Sequence, residues 1–437
     1  MKQHALKLLK YINKVYGFNQ WLFQLKDGRV NPHVLLRDIL AVIFFGTLVG
    51  MNSFNQMESQ LKRGYFNKLL GKQAKGSADT FGYALERLSL EQLQEMNANI
   101  ITRARRNKVF AGGTIDGFSV VAIDGTEAFR TTSKHWSCKH CRQSVYNKGE
   151  IDETTYYHEN LVGAAYVGKP PNLIIGLERI APGEGETTAA LRLIKSLNQI
   201  HYRYADILVF DALFAKAPVI KEVLLQNKIA VIRLKQENYH IIEDAKNLFA
   251  ARKPDLEEVL SLRSQYYEQD QAGKKYRYRV KIWDEENFTS WQEVKHPLRV
   301  LKVEEVRISP TGKELNEASV TYIVTTAGKA TLPTASLWRI MHRRWDIENK
   351  IFHNLKTYWG FGHSFHHEEN AFLAMRWLIV LAFNLYNLFY HRRISCNNGI
   401  TKKSLILAHI SQVPAIVFHD CGYMSEYLSK KRKDLIF

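Results

Sequence analysis

Ser119-Val-Val-Ala-Ile-Asp124 is a short apolar run closed by an acid, and Ile207-Leu-Val-Phe-Asp211 repeats that pattern further on. Short runs rich in Val and Ile, bounded by turn residues, predict buried strands. Between the two runs, Leu161–Val167 and Asn172–Arg179 read as strands separated by the turn Gly168-Lys-Pro-Pro171, and Glu184–Gln199 reads as a helix. Beyond them come a helical stretch, Lys216–Gln226, and a fifth strand, Ile229–Leu234. Three strands, then helix, strand, helix, strand, is the order of a mixed α/β sheet.

Upstream, the first 108 residues show helical spacing and no strand pattern. Val34–Gly50 reads as one apolar helix. Ser89–Arg106 opens with a capping box, Ser89-x-x-Gln92, and continues with Leu90, Leu93, Met96 and Ile100 at helical intervals. It closes in Arg103, Arg105, Arg106 and Lys108, cations that suit a helix C-terminus and equally suit phosphate. Downstream, residues 239–330 break the α/β alternation. Tyr276, Tyr278, Val280 and Ile282 alternate with Arg277, Arg279 and Lys281, a strand with one basic face, and Val300–Ile308 and Ser319–Thr325 are further strands. A long helix is expected from Pro333 to Tyr358, stopped at Gly360, with Leu337, Ile340, Ile347, Ile351 and Leu355 as its apolar stripe. Phe372–Tyr390 reads as another helix, and the tail ends in Lys430-Lys-Arg-Lys433.

The chain has 437 residues, 46% hydrophobic and 12% aromatic, enough for two or three packed domains and too apolar for a mainly disordered protein. Its four cysteines are too few for a disulfide scaffold and point to a reducing compartment. Met1–Asn13 lacks the apolar run of a signal peptide. Ile39–Met51 is too short to span a bilayer, and Ala371–Tyr390 carries Arg376, Asn384 and Asn387, so a soluble intracellular protein without a membrane partner is expected. The net charge of +18 is uneven: residues 1–110 hold 17 basic and 7 acidic side chains, residues 371–437 hold 9 and 3, and the middle is close to neutral. Basic ends around a near-neutral centre fit a protein that grips a polyanion by its flanks.

Phosphodiester chemistry with two divalent ions needs carboxylates from different elements converging on one point. Asp124 and Asp211 end apolar strands and Glu348 lies on the long helix, with Asp116, Glu127 and Asp346 as competing acids. A second constellation is His135-x-x-Cys138-x-x-Cys141, with His158 further on. Cys-x-x-Cys is half a structural zinc site, which His135 and His158 would complete; the alternative is an unmetallated turn. His363, His366 and His367 lack a thiol or carboxylate at metal spacing and read as packing or nucleic-acid contacts.

The segment His342-Arg-Arg-Trp-Asp-Ile-Glu-Asn349, running on to Leu355-Lys356, resembles the signature of DDE transposases of bacterial insertion sequences, in the branch whose third acid sits in a Tyr-Arg-Glu-Lys (YREK) pattern. Ala122-Ile-Asp-Gly-Thr126 resembles that family's first-acid strand and Val209-Phe-Asp-Ala212 its second. The resemblance implies an RNase H-like catalytic domain over 113–238 and 331–395, interrupted by a β-rich insertion at 239–330. It also implies a helical DNA-binding domain over 1–112 and a basic helical tail over 396–437. Asp124, Asp211 and Glu348 would hold two Mg²⁺ or Mn²⁺, and Arg344 and Lys356 would contact the phosphates at the cut. The partners implied are double-stranded DNA, both element ends and target, and a second copy of the chain on DNA. The place of action would be the bacterial cytoplasm, at the nucleoid. The pattern departs from the family twice: its tyrosine falls on Met341, and its lysine, seven residues after the glutamate, falls on Leu355, with Lys356 one further on. At about 100° per residue eight steps overshoot Glu348 by about 80°, and a π turn would bring Lys356 back into line. A non-catalytic DNA-binding descendant of a transposase and a metal-dependent nuclease without strand transfer are the alternatives.

Overall fold

The computed structural model describes residues 2–134, 137, 141–150, 152–201, 203–235, 240–263 and 275–394. The chain divides into two compact units, one of Met1–Val109, Glu127–Glu159 and Asn354–Phe437, the other of Phe110–Thr126 and Asn160–His353.

The first unit opens with the helices α1 (Lys2–Tyr16), α2 (Phe18–Gln24), α3 (Leu36–Leu48), α4 (Phe54–Lys62), α5 (Asn67–Leu70), α6 (Ala78–Glu86) and α7 (Leu90–Arg106). Serines start three of them: the hydroxyls of Ser53, Ser77 and Ser89 accept from the backbone N–H groups of Gln56, Thr80 and Gln92. The serine half of the capping box read at Ser89 is thus formed, while Gln92 Oε1 accepts from the Lys26 N–H instead. α3 is buried almost all round, which accounts for a sequence apolar on every face. What surrounds it includes the late helix Glu369–Phe389, which packs on α3, α6 and α7. Asn384 donates to the Asn97 side chain inside that packing, and Asn370 donates to the carbonyls of Leu85 and Leu88 at the end of α6. The run Glu369–Ile394 is the one helix among the described residues long and apolar enough to cross a membrane, and 89% of its most apolar window is buried within the protein.

The second unit is built on a mixed sheet, of which β2 and the adjoining parts of β1 and β3 count with the first unit. Its strands are β1 (Val120–Thr131), β2 (Arg142–Tyr146), β3 (Thr154–Tyr166), β4 (Ile174–Arg179), β5 (Ile207–Phe210), β6 (Ile229–Leu234), β7 (Leu256–Arg263), β8 (Lys275–Phe288), β9 (Leu298–Ile308) and β10 (Ser319–Thr325). They lie in the order β2-β3-β1-β5-β6-β10-β9-β8-β7, with β4 beside β3. β3 and β4 are antiparallel, while β1, β5 and β6 run parallel, with Ile123 opposite Phe210 and Phe210 opposite Ile232. Antiparallel strands on one side of β1 and parallel strands on the other make an RNase H-like mixed sheet, the fold class expected. β1 is longer than the run Ser119–Asp124 and continues to Thr131, and β2 had no signal in the sequence pattern.

The helices α8 (Glu186–Ile200), α9 (Ala217–Leu225) and α10 (His240–Ala250) follow β4, β5 and β6. A Cβ on Gly176 would come within 2.7 Å of Leu193 on α8, whereas one on Gly163 would come within 2.9 Å of Phe352. Because Gly176 pairs with Ala164, it faces away from Gly163, and α8 and the segment carrying Phe352 cover opposite faces of the sheet. α10 adds one helix to the β-rich stretch 239–330, with Ile241, Ile242, Ala245 and Phe249 as its buried stripe. The remaining strands form an antiparallel meander, and β10 returns beside β6, so the insertion extends the central sheet. The basic face of β8 is occupied by its own neighbours, Arg279 by Glu314 at 2.6 Å and Lys281 by Glu257 at 3.5 Å. The expected long helix is a single run made of α11 (Thr334–Arg344), a π turn (Ile347–Phe352) and α12 (His353–Tyr358), followed by α13 (Glu369–Phe389). The tail, 396–437, lies outside the described residues.

Candidate active site

Asp124 and Asp211 each follow the last register pair of β1 and β5, Ile123 and Phe210, on neighbouring parallel strands. Their Cα atoms therefore sit at one level, roughly a strand spacing of 4.8 Å apart. Glu348 comes from the π turn. Arg344, one α-helical turn earlier, is 1% exposed, and its Nη1 donates to Asp124 Oδ2 at 3.0 Å and to Glu348 Oε1 at 2.9 Å. One guanidinium nitrogen thus binds the carboxylates of Asp124 and Glu348 together. Burial pushes the Asp124 carboxyl up to about 7, helped by a hydrogen bond and charge repulsion from Glu348 and opposed by Arg344 and the Gly125 N–H. The Asp211 carbonyl accepts from the Phe214 N–H at 3.1 Å, and its carboxylate makes no cap hydrogen bond to the short helical turn that follows.

The competing acids are engaged elsewhere. Asp116 accepts from Ser336 and Arg339 at the start of α11, and Glu127 pairs with Arg130. Asp346 is buried against Lys350. The carboxylates of Asp124, Asp211 and Glu348 are hard oxygen donors of the kind Mg²⁺ takes, and the mutual repulsion that raises Asp124 is what a bound cation relieves. In chemistry the residues fit. Arg344 now stands between two of them, and among the described residues no three Asp, Glu, His or Cys side chains are gathered tightly enough to ligate one ion.

Leu355 is fully buried, as its place in the apolar stripe implies, and Lys356 is exposed at its surface, yet desolvation lowers its pKa below the usual lysine value, opposed in part by the Glu127 carboxylate. A π turn does lie between Glu348 and Lys356, the adjustment that their eight-residue spacing would need. At the end of α7, Arg103 donates to the Val15 carbonyl at 3.2 Å, while Arg105 and Arg106 are exposed. Beside that end is a cleft of about 260 Å³ lined by Tyr11, Val15, Asn107, Val109, Arg392 and Arg393. The two arginines escaped the sequence reading; the +6 of the C-terminal region was the signal, but only folding brings them to α7.

Of the zinc constellation, His135 and Cys138 lie outside the described residues. Cys141 is buried just before β2, and His158 sits on β3 opposite Arg142. His363, His366 and His367 serve packing: His366 lies against Gly82 and Glu86, His367 against Phe129, and the His363 carbonyl accepts from Arg376.

Residues 115–385, more than half of the chain, match the Transposase DDE domain, and the chain belongs to that family. Among solved structures it is similar to the piggyBac transposase synaptic complex with hairpin DNA, determined by cryo-EM. The identity is 11%, 97% of this chain and 84% of that chain are covered, and the TM-score is 0.44. No curated protein matches the sequence.

Proposed function

We propose that this chain is the transposase of a bacterial insertion sequence of the YREK branch. It binds the terminal inverted repeats of its element, nicks there, and joins the freed 3′-ends to target DNA, two copies acting on a pair of ends. The observation that carries the reading is Arg344 tying Asp124 to Glu348, with Asp211 level on the next strand. Asp124, Asp211 and Glu348 would hold Mg²⁺ or Mn²⁺, which when bound would supply activation of a water or 3′-hydroxyl and neutralisation of the leaving oxygen. Arg344 serves as an internal counter-ion and, exchanged onto DNA, bridges two phosphate oxygens with its planar guanidinium. Lys356 adds a point charge for the same strand. The test is cleavage of element-end DNA: Mg²⁺ and Mn²⁺ should support it and Ca²⁺, with its larger and looser coordination shell, should inhibit it. Cleavage without joining would mark the protein as a nuclease. No cleavage under any of these ions would refute the proposal.

Residues 1–112 with the C-terminal arginines form the DNA grip of this reading. Arg105, Arg106, Arg392 and Arg393 contact backbone phosphates, whereas Arg103 holds α7 to the end of α1. Each phosphate contact releases counterions, so the double change Arg392→Ala and Arg393→Ala should reduce the slope of log affinity against log salt by about 2. An unchanged slope in a folded variant would remove the cleft from the interface.

A further inference from the structure

The π turn that carries Glu348 is pinned at both ends. Lys350, inside the turn, and Asp346, just before it, form an ion pair with Nζ 2.7 Å from Oδ1 and side chains only 4% and 9% exposed. The second Asp346 oxygen, Oδ2, accepts a hydrogen bond from the backbone N–H of Gly168 at 3.1 Å. Gly168 stands in the turn after β3 at φ +97°, where a Cβ would collide with Ile115 and the Thr114 carbonyl, so only glycine fits the place from which this N–H donates. Arg343 approaches the same Asp346 carboxylate at 3.8 Å. At the far end of the turn Phe352 seats on Gly163, where a side chain would come within 2.9 Å.

A π turn is rare and persists where its surroundings over-determine it. Stability alone does not call for a buried ion pair here, because apolar side chains of similar volume often do as well or better. What the pair does that apolar side chains cannot is grip the Gly168 N–H and fix the residues two before and two after Glu348. We propose that Asp346 and Lys350, locked to Gly168, are positioning residues for Glu348. They hold the π turn so that the Glu348 carboxylate meets Asp124 across Arg344. This inference rests on the reading of Glu348 as a metal ligand.

The experiment is Mn²⁺ binding by calorimetry on the full-length protein, alongside end cleavage, DNA affinity and thermal unfolding. The variants are Lys350→Met and the double change Asp346→Leu with Lys350→Met. The double variant leaves no buried charge unpaired and should remain folded even if the single variant does not. Both should bind Mn²⁺ about tenfold or more weakly and cleave correspondingly less, since groups that orient a metal ligand typically matter at that level, with DNA affinity unchanged. A folded double variant with wild-type Mn²⁺ affinity and cleavage overturns the inference. Glu348→Gln, measured beside them, separates the two readings. If it binds Mn²⁺ like the wild type, the assignment of Glu348 fails. If it loses Mn²⁺ while the positioning variants do not, only the inference about Asp346 and Lys350 fails.

Discussion

Asp124→Asn, Asp211→Asn and Glu348→Gln should each fold, bind element-end DNA and lose cleavage by about a thousandfold or more. The amides keep the shape and remove the negative ligand on which metal-assisted hydrolysis depends, a loss of several kcal/mol at about 1.4 kcal/mol per factor of ten. Because burial and Glu348 both disfavour the ionised Asp124, replacing it by Asn should leave thermal stability in metal-free buffer unchanged or raised. That combination, inert yet at least as stable, separates a functional carboxylate from a structural one. Glu127→Gln is the control: its carboxylate is held by exposed Arg130, and the variant should cut at close to the normal rate. Asp346→Asn is no such control, since it would strand a buried Lys350. A folded Glu348→Gln protein that still cleaves with Mg²⁺ would end the assignment.

Arg299→Ala should have the largest effect on stability, about 3–5 kcal/mol by chemical denaturation, because it leaves a buried carboxylate unpaired. Arg299 and Asp284 are both 1% exposed and 2.6 Å apart on β9 and β8. Arg299 also donates to the Leu332 carbonyl, and Asp284 accepts from the Thr334 hydroxyl, so the pair fastens the insertion to the first turn of α11. Replacing both partners by Met and Leu should recover much of the loss. A loss below 1 kcal/mol in the single variant would contradict this account.

The local half of the architecture was legible in the residues. Apolar runs ending in Asp124 and Asp211 became adjacent parallel strands, and Ser89 became a cap. The eight-residue step from Glu348 to Lys356 called for a π turn, which Ile347–Phe352 forms. The Arg344–Glu348 contact is an i,i+4 pair that spacing alone exposes. What escaped was long-range or masked by neighbours. Nothing in Ser319–Thr325 announces that it will pair with Ile229–Leu234. The helical stripe of Ile241, Ile242, Ala245 and Phe249 was lost beside the alternating strand that follows. The contact of Arg344 with Asp124 joins residues far apart in the chain, and the burial of Asp346 depends on Gly168, so neither leaves a mark in local spacing.

The packing of α13 on α3, α6 and α7 has a consequence for the order in which the protein comes into being. Roughly 280 residues separate Val109 from Phe389, so the first helices leave the ribosome long before the helix that completes their core. At about 5–20 residues per second that interval is roughly 15–60 s. During it α3 can pack on α2, α4 and α6, but the apolar surface that α13 covers has no permanent partner and is open to chaperones or to another nascent chain. Maturation of the N-terminal bundle, and of any grip that bundle provides, therefore waits on the end of translation, and a truncated product would be one that never acquires it.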